Sequence, residues 1–127
     1  MGMTMVTVRI ANPADFKRHS DLEFLVDSGA IYTVVPKKIL RQLGIRSHSK
    51  RPFILANGEK IERRIGNIAV EYKDLRGASP VMFGEEGDMP LLGVTTLEAL
   101  GLIFDPLRRE LKPVALTLSA GISTCEG

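Results

Sequence analysis

The chain has 127 residues, with 17 Lys+Arg against 15 Asp+Glu for a formal net charge of +2. At 44% hydrophobic and 25% charged residues, the composition is that of an ordinary globular domain, neither disordered nor fibrous. The near-balance of charge excludes a chain-wide field for nucleic acid or membrane, and no apolar run approaches the roughly 20 residues that span a bilayer. A single cysteine, Cys125, excludes an intrachain disulfide and any CxxC-type metal site. The length suits one domain over 1–127, with its core at about residues 5–115; residues 117–127 are open to three readings, a flexible tail, an extra interface strand or a self-processing site. The first residues, Met1-Gly2-Met3-Thr4-Met5, lack the basic and apolar regions of a secretory signal, so a cytoplasmic location is expected.

In chain order, Met5 to Ile10 alternates with branched residues and reads as a strand. Asn12-Pro13-Ala14-Asp15 is turn chemistry, and polar residues continue to Asp21. Leu22 to Val26 is a second strand that stops abruptly at Asp27-Ser28-Gly29-Ala30, and Ile31 to Val35 is a third. Pro36 opens a short helix running to Leu43, which Gly44 ends. Phe53-Ile54-Leu55 and Lys60-Ile61-Glu62 flank Asn57-Gly58, the strongest short-range hairpin signal because both residues tolerate positive φ. Ile65 to Tyr72 reads as a strand with Gly66 at a bulge, and Val81-Met82-Phe83 as another before the acidic loop from Gly84 to Asp88. Leu91-Leu92-Gly93 then leads to a helix capped by Thr95 or Thr96 and stopped at Gly101. Leu102 to Phe104 is a strand ended by Asp105-Pro106, and Leu111 to Leu118 supplies one more. The sum is about seven strands and two short helices, a mainly β domain.

Asp27 is the position with chemical promise. It ends an apolar strand and is followed by a hydroxyl residue and a glycine that lets backbone approach closely. Taken alone, Asp-Ser-Gly also fits a turn in which the aspartate caps its own loop. The wider arrangement is more specific: Phe24-Leu25-Val26-Asp27-Ser28-Gly29-Ala30, then a hairpin, then Leu91-Leu92-Gly93 before a helix about 60 residues later. This order resembles the retropepsin-like (clan AA) aspartic proteases, particularly the small single-domain bacterial and archaeal members, over roughly residues 5 to 115.

The resemblance implies an acid-protease half-barrel with a flap hairpin and one or two short helices. It implies that Asp27 is the catalytic aspartate of an endopeptidase, within an active-site loop completed by Ser28, Gly29 and Ala30. Ser28 stands where Thr is commoner and keeps the hydroxyl that hydrogen-bonds across the two active-site loops. Leu55, Ala56, Asn57 and Gly58 fall at the flap that covers substrate, although the glycine run of retroviral flaps is missing. Leu91, Leu92 and Gly93 support the Asp27 loop from beneath.

Chemistry sets the stoichiometry. This type of hydrolysis needs two carboxylates sharing a proton, and the chain has one Asp-Ser/Thr-Gly, so the second Asp27 is expected from another copy across a two-fold axis. The expected partners are thus a second copy and a peptide or protein substrate, with no nucleic acid, membrane, metal or organic cofactor. Ala30, Ile31, Ile54 and Val81 suggest a cleft favouring apolar side chains. A non-catalytic peptide-binding or dimerisation module with the same fold is the alternative.

The remaining candidates read more simply. His19 and His48 lie in polar stretches without partners at ligand spacing. The carboxylates from Glu85 to Asp88 lack EF-hand spacing, and Arg63-Arg64 and Arg108-Arg109 read as solvated faces. Asp105-Pro106 is a turn, Cys125 is a free thiol, and Ser28 lacks the Gly-x-Ser-x-Gly setting of a serine nucleophile.

Overall fold

A computed structural model describes residues 3–114. The elements are β1 (Met5–Asn12), β2 (Asp15–Val26), β3 (Thr33–Pro36), α1 (Lys37–Gln42), β4 (Ser49–Ile54), β5 (Lys60–Tyr72), β6 (Leu75–Gly84), β7 (Leu91–Leu92), α2 (Val94–Leu100), β8 (Leu102–Asp105) and β9 (Glu110–Pro113). Seven strands form one sheet in the order β1-β2-β7-β3-β6-β5-β4. A further antiparallel pairing of Arg9, Ile10 and Ala11 with Glu71, Val70 and Ala69 closes that sheet on itself. Closure removes much of the edge that an open sheet would expose. β8 and β9 form a separate two-stranded sheet. The mainly β expectation therefore holds, with nine strands and two short helices among the described residues.

Alternation explains the strands that face the core. Along β1, Val8 and Ile10 are buried while Thr7 and Arg9 are exposed. Phe24 and Val26, Ile68 and Val70, and Val81 and Phe83 repeat the pattern on β2, β5 and β6. These side chains meet Leu40 of α1 and Leu97 and Leu100 of α2 in one apolar cluster. Val81 has no exposed surface, so it belongs to this core and does not line a substrate cleft, contrary to expectation.

Several boundaries differ from the sequence reading. β2 begins at Asp15, seven residues before Leu22. Residues 15 to 19 are almost wholly exposed and carry no hydrophobic periodicity; cross-strand pairing with β1 and the Arg9–Asp21 ion pair at 2.7 Å hold the polar half of the strand. β6 begins at Leu75, where a two-residue turn at Lys73 and Asp74, with Lys73 at φ 54°, joins it to β5. Ile31 and Tyr32 lie outside β3.

Pro36 is the N-cap of α1, before its first helical residue, and Gly44 follows the helix at φ 78°. The N-cap of α2 is Gly93; neither Thr95 nor Thr96 caps it, because both hydroxyls are committed elsewhere. Gly101 ends α2 in the left-handed conformation as expected. Gly66 sits in regular register with no bulge: a Cβ there would lie 2.9 Å from the Arg46 carbonyl oxygen and from the Phe83 ring. β9 starts at Glu110, and residues 115–118 of the expected last strand, like the expected tail, lie outside the described residues. Among the described residues, no helix is long and apolar enough to cross a membrane.

Candidate active site

Asp27 stands where β2 runs out. Leu25 and Val26 pair in parallel with Leu91 and Leu92, and the Asp27 N–H donates to the Leu92 carbonyl at 3.1 Å. The chain then turns back: Ala30 N–H donates to the Asp27 carbonyl at 3.1 Å, and Gly29 N–H donates to the Asp27 carboxylate Oδ1 at 2.9 Å. That last bond fixes the carboxylate orientation from within its own loop. Asp27 is half-buried, whereas Ser28 and Gly29 are exposed. Among the described residues the Ser28 hydroxyl makes no side-chain hydrogen bond and Asp27 Oδ2 accepts none.

The first residues of α2 hold the far side of this loop. Val94 N–H donates to the Ala30 carbonyl at 2.8 Å, while Thr95 donates to the Ile31 carbonyl through N–H at 3.0 Å and through its hydroxyl at 2.8 Å. Gly93 makes this approach possible, since a Cβ there would stand 2.5 Å from the Tyr32 carbonyl carbon. Below it runs a chain of buried hydroxyls. Gly93 N–H donates to Thr33 Oγ1 at 2.9 Å, Thr33 and Thr96 share a bond at 2.5 Å, and Thr96 and Ser79 share one at 2.9 Å. Thr33 accepts from Gly93, either hydroxyl of the Thr33–Thr96 pair can donate to the other, and Ser79 donates to the Pro80 carbonyl at 3.3 Å. Every member of the chain is satisfied, as buried hydroxyls require.

The β4–β5 hairpin meets the segment after the loop at Tyr32. Ile54 pairs with Lys60, and the turn beyond closes through Gly58 N–H to the Leu55 carbonyl with Gly58 at φ 86°. Asn57-Gly58 thus forms part of a three-residue loop with a bulge-type glycine, a longer connection than a two-residue turn. Leu55, Ala56, Asn57 and Gly58 are all exposed and bond only within this turn. Ser49, Arg51 and Phe53 share a face with their partners Ile65, Arg63 and Ile61. Ile65 is buried, so this face looks inward. Phe53 meets Tyr32 edge-on, ring centroids 5.9 Å apart, and Arg51 donates to the Tyr32 hydroxyl at 2.5 Å.

On β5, Arg63 grips Asp88 with two hydrogen bonds, at 2.9 and 3.3 Å, and Asp88 also accepts the Glu85 N–H at 2.8 Å. Lys37 pairs with Glu85 at 2.5 Å. Burial pushes the Asp88 carboxyl upward, but the Arg63 bond and the Glu85 N–H outweigh it and hold the group below its ordinary pKa. The Lys37 hydrogen bond likewise lowers Glu85. The acidic loop and Arg63, expected to be solvated, instead tie the hairpin base to the barrel. His19 and His48 are exposed and Asp105 caps its own turn, as expected. No cluster of three or more metal-ligating side chains occurs among the described residues.

The structure thus brings Asp27, Ser28, Gly29 and Ala30 onto Leu92 and Gly93, with the hairpin base over Tyr32. Arg51 and Ser79 went unread in the sequence, and Tyr32, Phe53, Thr33 and Thr96 were read only as parts of strands or as a helix cap. The run Ser49 to Ile54 has no polar–apolar alternation, so nothing in it marked Arg51 and Phe53 as sharing a face. The partner of Thr33, 63 residues away at Thr96, left no signal either. A separate open cleft of about 390 Å³ lies at the other end of β2, beside Phe16 and His19, far from the carboxylate. It is lined by β1, β2, β5 and β6 residues and holds no carboxylate of the Asp27 loop, so the chemistry argues for the loop.

A closed sheet whose strand ends in Asp-Ser-Gly and is stitched to a Leu-Leu-Gly strand is the retropepsin-like aspartic protease fold. Three solved structures share it: the EIAV protease complexed with the inhibitor HBY-793 (18% identity, TM-score 0.58, 79% of this chain and 89% of that one), a retropepsin-like aspartic protease from Rickettsia conorii (20%, 0.52, 82% and 77%), and the Simian Foamy Virus (mac) protease (16%, 0.50, 73% and 92%). The chain belongs to the family described as gag-polyprotein putative aspartyl protease, whose profile matches residues 13–99. No curated protein matches the sequence.

Proposed function

We propose that the protein is an aspartic endopeptidase that acts as a homodimer, with Asp27 of each copy meeting at the two-fold axis. The supporting observation is the Asp27 loop itself: a carboxylate oriented by Gly29 N–H, held rigidly from below, and open on the side away from its own barrel. Exposed apolar residues stand on the segments next to that loop. Thr4 accepts from Val26 N–H and Pro90 from Leu25 N–H, so Met3, Met5 and Met89 flank the loop, at 72%, 42% and 47% exposure; Ile31 is 67% exposed. Exposed apolar residues next to an open site call for a covering surface, and an isologous contact supplies one.

Two carboxylates about 3 Å apart cannot both ionise, so the pair holds one proton. The ionised Asp27 takes a proton from water as the oxygen attacks the scissile carbonyl. The protonated Asp27 gives its proton to the carbonyl oxygen, and the resulting gem-diol collapses with proton transfer to the amine. Ser28, exposed and free on its own barrel, fits a bond to the opposite loop. An extended peptide lies between floor and flap as an added strand. Leu55 to Gly58 form the flap tip, and Leu91, Leu92 and Gly93 are structural.

The test is cleavage of a mixed peptide library between pH 4 and 7, wild type against Asp27→Asn. Cleavage lost in a folded mutant and rising more steeply than linearly with protein concentration supports the proposal. Absence of cleavage at every concentration, with peptide still bound, favours a binding module instead.

A further inference from the structure

We propose that Arg51 makes this site selective for substrates with an acidic side chain close to the scissile bond. The inference rests on the protease reading and names a feature of its substrate. Arg51 is exposed and lies on the face of β4 that carries Phe53, opposite Arg63 of β5 and in line with the buried Ile65. Its guanidinium reaches the hydroxyl of Tyr32, which sits five residues beyond Asp27 on the floor loop. Arg51 and Tyr32 therefore meet where the base of the hairpin reaches the segment that follows the Asp27 loop, the guanidinium standing 5.8 Å from the Tyr32 ring centroid.

The charges around that contact are uneven. Arg63, opposite Arg51 in the strand register, is neutralised by Asp88. Lys37 is neutralised by Glu85, and Lys50 on the outer face is 4.0 Å from Glu62. Arg51 has no carboxylate within salt-bridge distance among the described residues. Its one polar side-chain partner is a neutral phenol, which occupies one of the five guanidinium N–H donors. The remaining donors form a planar fork suited to a carboxylate, and the T-shaped Tyr32–Phe53 pair offers an apolar wall for that side chain's methylenes. An unpaired cation beside two aromatic rings selects a glutamate over an isosteric glutamine and disfavours lysine.

The experiment compares kcat/KM for matched peptides differing only by Glu, Gln or Lys at successive positions around one cleavage site. Wild type should favour Glu over Gln by about fivefold at one position, an advantage that shrinks with added salt. Arg51→Glu should reverse the order at that position, making Lys the best of the three. Arg64→Glu is the control: it removes the same charge from the outer face, paired with Lys50, and should leave the preference intact. Equal cleavage of the three wild-type substrates, or the same shift in both variants, overturns the proposal while leaving the protease reading in place. Failure of wild type to cleave any library peptide refutes both.

Discussion

Replacing Thr96 with valine keeps the shape of the side chain and removes one oxygen from the middle of the buried hydroxyl chain. Thr96 has no exposed surface, and its neighbours Thr33 and Ser79 are 1% and 5% exposed, so water cannot take its place. The Thr33 and Ser79 hydroxyls each lose a hydrogen-bond partner. Each unsatisfied buried group costs about 1–3 kcal/mol, and the extra apolar burial of valine returns less than about 1, so the net loss should be about 3 kcal/mol. Thr96→Ser keeps the oxygen and should lose only about 1 kcal/mol with the methyl. Urea unfolding followed by circular dichroism, at one protein concentration to hold association constant, reads both values. Valine costing no more than serine would refute the idea that this chain of hydroxyls ties α2 to β3 and β6.

Gly93→Ala should be at least as damaging, since its Cβ would need the Ile31–Tyr32 backbone to retreat by close to an ångström from contacts of 2.5 and 2.6 Å; a loss of about 3 kcal/mol is expected, against about 1 for Gly58→Ala, where only positive φ is at stake. Near-equal midpoints in the same urea assay would contradict that order. Asp88→Asn should weaken the fold in a pH-dependent way. The lowered native pKa of Asp88 means its stabilisation is complete above about pH 5 and fades as pH falls through that value, below about 4. The stability gap between wild type and Asp88→Asn should therefore be flat from pH 5 to 7 and close in stronger acid. A gap that widened on acidification would contradict the Arg63–Asp88 assignment.

How much of this was legible in the sequence differs by element. Val8 and Ile10, or Ile68 and Val70, announce their strands because one face is buried and the other is not. The Asp27-Ser28-Gly29 and Leu91-Leu92-Gly93 segments were readable because each is short, local and ordered along the chain. The polar half of β2 was not, because residues 15 to 19 are exposed and only Asp15 and His19 pair with β1. The first half of β6 was missed for a related reason: Lys73-Asp74 does not advertise a tight turn, yet Lys73 adopts positive φ there. Thr95 and Thr96 read as helix caps on propensity alone. Their hydroxyls bond instead to Ile31 and to Thr33 and Ser79, partners that only the closed sheet brings together. The same limit hid the Arg63–Asp88 tie and the position of Arg51 over Tyr32.

The central claim, that one site is built from Asp27 of two copies, is most directly tested by mixing subunits. Wild type and Asp27→Asn are equilibrated in equal amounts at fixed total protein, and peptide cleavage is measured. If both aspartates are required and subunits exchange freely, only wild-type pairs are active, and the rate should fall to about a quarter of that of undiluted wild type. A rate of about half, tracking the wild-type fraction linearly, would mean that each copy works alone and would contradict the account.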